Sequence, residues 1–219
     1  KGFKNLIHDM NQGRISQTDF SAFEVGKNLA ITPGKVIFEN ELIQLIQYKP
    51  LTKKVWQTPL LIIPPWINRY YILDLEPQNS FVRFAVEQGI TVFMISWRVP
   101  KGDMGKLSFD DYAQKGAIDA MKAIQEITGE KVNAIGYCIG GTLLGTVAAV
   151  LAAKEIKDST PNSSRLRTRQ TQNSPLNSAA FLATMLDFSD FGPLSALVDL
   201  PLIEKLEKDT VIQAERFGF

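Results

Sequence analysis

A chain of 219 residues that is 45% hydrophobic and 21% charged holds enough apolar material for one sizeable core. Its net charge of +1 offers no bulk attraction to nucleic acid or to an anionic membrane surface, and no apolar run approaches the roughly 18 residues of a membrane span. A single cysteine rules out an internal disulfide and suits a reducing cytoplasm, where a lone thiol is free to work.

The N-terminus, Lys1-Gly2-Phe3-Lys4, has neither a signal-peptide pattern nor a starting methionine, so the natural N-terminus is expected upstream. Residues 1–28 are polar with spaced apolar positions (Phe3, Leu6, Ile7, Met10, Phe20, Phe23) and read as an N-terminal helical segment broken at Gly13. Thr32-Pro33-Gly34 is a turn, and residues 36–40 and 42–48 read as two antiparallel strands. Pro59 opens the all-apolar Leu60-Leu61-Ile62-Ile63, a strand buried on both faces that ends at Pro64-Pro65. Residues 80–88 have helical spacing, with Phe81, Phe84 and Ala85 as the apolar stripe and Gly89 as the stop. Residues 91–97 are the next buried strand, and 109–128 form a long amphipathic helix ended by Gly129.

Residues 131–135 read as a short buried strand and 142–155 as a helix. Residues 158–178 break the rhythm with Ser, Thr, Asn, Gln and Arg. Their composition predicts a solvated surface insertion, with a basic docking site around Arg165-Leu166-Arg167-Thr168-Arg169 as the alternative. Residues 179–186 return to a buried-strand pattern, and 194–219 read as one or two helices. Strands alternating with helices predict an α/β fold with a mostly parallel sheet covered on both faces. With two antiparallel strands leading in, the layout is that of an α/β-hydrolase-like sheet, incomplete at its C-terminal end. The expected division is an N-terminal helical segment (1–28), a core (29–192, with 157–178 as a polar insertion) and the start of a cap or a divergent tail (193–219).

Between the strand at 131–135 and the following helix stands Gly136-Tyr137-Cys138-Ile139-Gly140-Gly141. Gly-x-Cys-x-Gly in a strand–turn–helix context is the nucleophile-elbow pattern, with a thiol where hydrolases usually carry serine. The glycines are needed because a side chain at either position would collide with the strand or the helix. The thiol lies at a helix N-terminus, where the dipole and free N–H groups favour negative charge. Buried structural cysteine is the plain alternative. The oxyanion donors expected are the N–H groups of Ile139, after the nucleophile, and of Ile67, in the loop after the first buried strand, because Pro64 and Pro65 have none. Asn68 is either a turn residue or a polar contact. Trp66, Ile67, Tyr70 and Tyr71 either line a dry pocket or pack in the core.

The only histidine, His8, precedes the elbow, whereas in the hydrolase order the base comes last, so it reads as a surface helix residue. Asp187 and Asp190 follow the first strand after the elbow. They are either the orienting acid or turn and cap residues. The base and the later strands are expected in a longer chain.

Several dense motifs give the chain a family resemblance. They include Phe23-Glu24-Val25-Gly26-Lys27-Asn28-Leu29-Ala30, Thr32-Pro33-Gly34-Lys35-Val36, Asn40-Glu41-Leu42 with Gln44-Leu45-Ile46-Gln47-Tyr48, and the run from Pro64 to Leu75. Ser96-Trp97-Arg98, the elbow itself and Leu186-Asp187-Phe188-Ser189-Asp190 complete the set. The chain resembles the polyhydroxyalkanoate synthases, and its Asn-Glu-Leu and Gln-Tyr run resembles the single-component short-chain class. The resemblance implies an acyltransferase that polymerises (R)-3-hydroxyacyl-CoA and releases CoA, with Cys138 carrying the polyester chain as a thioester. It implies oxyanion N–H groups from Ile67 and Ile139, and a catalytic His and Asp in later sequence, with Asp187 and Asp190 outside that pair. It further implies no cofactor or metal, a homodimer, and a cytoplasmic location at the surface of storage granules. The rival readings are a cysteine-dependent α/β-hydrolase or thioesterase, and a non-catalytic fragment that only binds.

Overall fold

The computed structural model describes residues 2–13, 15, 19–99, 102–158, 174–189, 192, 201–205 and 208. Helix α1 (Gly2–Gln12) stops at Gly13, whose φ of 65° turns the chain out of the helix, and a short 3-10 turn follows at Phe20–Ala22. Strands β1 (Gly34–Glu39) and β2 (Ile43–Tyr48) pair antiparallel. Their turn is built by Asn40, whose side-chain carbonyl accepts the N–H groups of Leu42 and Ile43, each at 2.9 Å. Then come β3 (Leu60–Ile63), α2 (Phe81–Glu87), β4 (Val92–Trp97), α3 (Phe109–Asp111), α4 (Asp119–Thr128), β5 (Val132–Tyr137), α5 (Ile139–Asp158) and β6 (Leu176–Leu182).

The sheet order is β1-β2-β4-β3-β5-β6. β4, β3, β5 and β6 run parallel, and the β1–β2 hairpin joins β4 antiparallel. The chain therefore steps from β3 to β4 on one side, then crosses to β5 on the other. That reversal puts a crevice at the carboxyl ends of β3 and β5. This is an α/β-hydrolase fold with the elbow on its third parallel strand.

Period-two alternation sends each strand's side chains to both layers. Leu61 and Ile63 of β3, and Phe93, Ile95 and Trp97 of β4, pack with Ala120, Met121 and Ile124 of α4 and Leu143, Leu144 and Val147 of α5. Ile62, Val92 and Met94 face the other way, against Val82, Ala85 and Val86 of α2. Each such fully buried aliphatic side chain contributes roughly 1.5–3 kcal/mol. The apolar stripe expected on α2 needs correcting. Phe84 is 59% exposed, and Val82 and Val86 take its place. The Ser80 cap, accepting the Arg83 N–H at 2.8 Å, sets the helical phase.

Residues 109–128 are helical throughout, but the middle, Tyr112–Ile118, is a π-helix rather than the continuous α-helix expected. The buried strand expected at 179–186 lies earlier, at Leu176–Leu182, because pairing with Val132–Tyr137 dictates its register, and as the edge of the described sheet it is largely exposed. The ends of the polar stretch are regular structure: α5 runs through Asp158 and β6 starts at Leu176. Residues 159–173, including the Arg165–Arg169 run, lie outside the described residues. Of the expected C-terminal helices, residues 201–205 are helical, and most of the remainder lies outside that set.

Asp74, 2% exposed, joins the Ala30–Thr32 stretch to α2. Its Oδ1 accepts the hydroxyls of Thr32 and Ser80, each at 2.6 Å, and its carbonyl accepts the Ala30 N–H at 3.0 Å. Ser80→Ala removes both this bond and the α2 cap, and is expected to lower stability by about 2 kcal/mol in urea unfolding. Asp74 Oδ2 and the Tyr48 hydroxyl are buried without a hydrogen-bond partner among the described residues. Burial first, and the nearby Asp74 charge second, push the Tyr48 phenol well above its usual range. Tyr48→Phe deletes an unsatisfied buried group, and a gain of about 1 kcal/mol in the same measurement is expected.

Candidate active site

Strand β5 ends at Tyr137 and α5 begins at Ile139, so Cys138 alone makes the turn. It does so at φ 55°, a left-handed conformation that costs a residue with a side chain about 1–2 kcal/mol. The backbone on both sides holds it there. The Cys138 N–H donates to the Leu182 carbonyl at 2.9 Å, and its own carbonyl accepts the N–H groups of Gly141 (2.9 Å) and Thr142 (3.3 Å). The thiol is partly exposed.

The flanking glycines are required by close approach. A Cβ on Gly136 would collide with the Gly141 Cα and stand 2.8 Å from the Gly140 carbonyl oxygen. A Cβ on Gly140 would collide with the Ile63 carbonyl oxygen and lie 2.9 Å from that of Pro64. The N-terminal turn of α5 thus abuts the carboxyl end of β3, which brings the elbow against the loop that holds Ile67. Thr184, beyond β6, closes the third side. Its hydroxyl donates to the Leu182 carbonyl at 3.0 Å and lies 3.4 Å from that of Gly136, and a Cβ on Gly141 would run into it. Thr142 donates to the Met185 carbonyl at 2.8 Å. The segment after β6 is therefore part of the elbow's frame. Its only sequence signal is the Gly140-Gly141 pair, which demands a close neighbour without naming it.

After β3 the chain turns through Pro64-Pro65-Trp66-Ile67-Asn68, closed by the Asn68 N–H donating to the Pro65 carbonyl at 3.2 Å. Asn68 is thus a turn residue through its backbone. The Ile67 side chain is 75% exposed. Among the described residues, neither the Ile67 nor the Ile139 N–H donates to a protein group. Ile139 is the first residue of a 20-residue helix, where backbone N–H groups have no intrahelical partner. Trp66 packs edge-on against Trp97, with ring centroids 5.8 Å apart, and against Phe109 at 6.2 Å, and tilts over Tyr112 at 4.8 Å. Burial raises the Tyr112 phenol, keeping it neutral. Tyr70 packs with the α2 layer of the core, and Tyr71 meets it edge-on at 5.4 Å.

His8 sits exposed on α1, a helix with no buried residue. Asp187 is exposed and accepts the Ser189 N–H at 2.9 Å; this bond, with the Ser189 hydroxyl, holds its carboxyl below the usual range. That is the geometry of an Asx turn. Asp190 lies outside the described residues. Among the described residues no three His, Cys, Asp or Glu side chains come together to hold a metal ion.

Residues 1–85 match the family described as the poly-beta-hydroxybutyrate polymerase (PhaC) N-terminus. The poly(3-hydroxyalkanoate) polymerase subunit PhaC of Cupriavidus necator is 48% identical over 199 residues, spanning 90% of this chain and 31% of that protein. The chain belongs to the poly(3-hydroxyalkanoate) polymerase family. The polymerase subunit of Rhizobium etli is 43% identical over 95% of this chain and 31% of its own length. The chain thus spans about a third of the length of the polymerases it matches, and that third includes the whole Cys138 elbow. Among solved structures, a thermostable carboxyl esterase from Bacillus coagulans is 13% identical with a TM-score of 0.47, covering 81% of this chain and 51% of that one.

Proposed function

We propose that this chain carries the acyl-accepting part of a polyester polymerase, with Cys138 as the nucleophile. The observation that carries the reading is a thiol held in a strained turn at the N-terminus of α5, in a relative of enzymes named poly(3-hydroxyalkanoate) polymerases. The Cys138 sulfur attacks the thioester carbonyl of (R)-3-hydroxyacyl-CoA. A new C–S bond forms, the bond to CoA breaks, and CoA leaves carrying the thiol proton. The 3-hydroxyl of a second (R)-3-hydroxyacyl-CoA then attacks the Cys138 thioester. An ester forms as the C–S bond breaks, and the hydroxyl proton passes to the sulfur. The lengthened chain, now a CoA thioester, returns to Cys138 by the same exchange. Donor and intermediate are both thioesters of similar energy, so the first step is reversible and needs no cofactor. The Ile67 and Ile139 N–H groups stabilise the oxyanion, each by about 3 kcal/mol. Exclusion of water by the aromatic loop separates polymerisation from hydrolysis.

His8 belongs to an exposed helix with no buried residue and is not proposed as the base. The monomers are short-chain 3-hydroxyacyl groups. The complete enzyme works as a homodimer in the cytoplasm at the polyester surface; among the described residues no helix is long and apolar enough to cross a membrane.

Intact-protein mass spectrometry of the chain with (R)-3-hydroxybutyryl-CoA tests this, with imidazole added as an external base. A mass gain located on Cys138 with equal CoA release is expected. Soluble 3-hydroxybutyrate without protein-bound acyl would instead favour a thioesterase, and a cysteine that stays unmodified in the full-length parent polymerase as well would overturn the nucleophile assignment.

A further inference from the structure

The Ile67 N–H has a demanding position to keep and a poor means of keeping it. Its own side chain is 75% exposed, so no packing of Ile67 fixes where its amide points. Two residues ahead of it in the turn, Pro64 and Trp66, are held instead, and both are held by one side chain. Trp97, at the end of β4, donates from its indole Nε1 to the Pro64 carbonyl at 2.7 Å. The same ring meets Trp66 edge-on at 5.8 Å and Tyr112 at 5.3 Å. Trp97 is 8% exposed, so this bond is shielded from water.

The opposite side of the ring is equally constrained. A Cβ on Gly116, within the π-helix, would lie 2.6 Å from two atoms of the indole. The π-helix at Tyr112–Ile118 thus carries a glycine where Trp97 needs room and a tyrosine where it needs a stacking partner. The α5 turn at Gly140 approaches the Pro64 carbonyl that Trp97 holds, beside the nearer Ile63 carbonyl. The indole thus holds a carbonyl that lies between the Ile67 turn and the start of α5.

We infer that Trp97 is a positioning residue for acyl transfer, holding the Pro64–Ile67 turn so that the Ile67 amide faces the developing oxyanion. This rests on the function proposed above, and it gives the Ser96-Trp97-Arg98 motif a role in that function. Trp97 touches no substrate in this account. It acts through Pro64 and Trp66, so its loss should slow the acylation step without weakening substrate capture.

The test compares the wild-type chain, Trp97→Phe, and a chain with benzothienylalanine at position 97, which keeps the indole's shape and replaces N–H with sulfur. Three quantities are read: the single-turnover rate of CoA release at saturating (R)-3-hydroxybutyryl-CoA with imidazole, the half-saturating thioester concentration, and the ¹H–¹⁵N resonance of the Ile67 amide. Circular dichroism checks folding. Both variants are expected to lose about five- to twentyfold in saturating rate, with half-saturation changed less than twofold and the Ile67 resonance displaced. Folded variants with an unchanged rate and an unmoved Ile67 amide overturn the inference, as does a rise in half-saturation alone. Unfolding of both variants would make Trp97 a core residue only and overturn it too. If the wild-type chain is not acylated, the Ile67 resonance decides the positioning claim: displacement supports it, and an unmoved amide overturns it. The proposed function fails by itself if the full-length parent polymerase is not acylated either.

Discussion

Cys138→Ala takes up no acyl group from (R)-3-hydroxybutyryl-CoA and releases no CoA above the protein-free background, a loss of at least about a thousandfold. The expectation is specific to the sulfur. Alanine at φ 55° carries the same backbone strain as cysteine, and the three hydrogen bonds that hold the turn are made by backbone atoms of residue 138. The variant should therefore fold, with an unfolding midpoint within about 3 °C of wild type. Cys138→Ser keeps an acyl-accepting atom at nearly the same place but is also expected to be nearly inactive. A hydroxyl is a far weaker nucleophile near neutral pH, and an oxygen ester is harder for the next hydroxyl to displace than a thioester. Wild-type CoA release by the alanine variant would remove Cys138 from the mechanism altogether.

Gly140→Ala is expected to unfold the elbow rather than tune it, lowering stability by more than about 3 kcal/mol in urea titration. The added methyl would collide with the Ile63 carbonyl oxygen, a backbone atom at the end of a buried strand, and would crowd the Pro64 carbonyl. Neither can rotate away as a side chain would. Ile63 is fully buried, and Trp97 holds Pro64 through its indole. The variant should also lose acylation in the molecules that remain folded, because relief of the clash moves α5 away from the loop that carries Ile67. A stable, fully active Gly140→Ala would mean that the crevice between β3 and α5 is wider than the structure has it.

Both predictions concern residues whose importance is visible in the one-dimensional pattern, and the reason is local. A strand, a one-residue turn and a helix are set by neighbours a few positions apart, so the Gly136–Gly141 run and its apolar flanks carry the geometry within themselves. The same holds for β3, whose four consecutive aliphatic residues have no meaning except burial on both faces. It holds too for the Ser80 cap of α2. Where two readings fit the local pattern equally, tertiary contacts chose between them. Phe84 fits an amphipathic stripe as well as Val82 or Val86 does, until the cap fixes which face meets the sheet. The strand after the elbow begins at Leu176 rather than at 179 because β5 sets its register.

By itself, the sequence determined the alternation of elements, the thiol at the elbow and the family resemblance, because each rests on residues adjacent in the chain. Only the tertiary structure decided how Thr184 closes the elbow from beyond β6, how a π-helix makes room for an indole, and how Trp97 joins Pro64 to Trp66. Those contacts link positions tens of residues apart, and their energies come from close approach and hydrogen-bond direction. Neither quantity leaves a periodic trace in the order of amino acids.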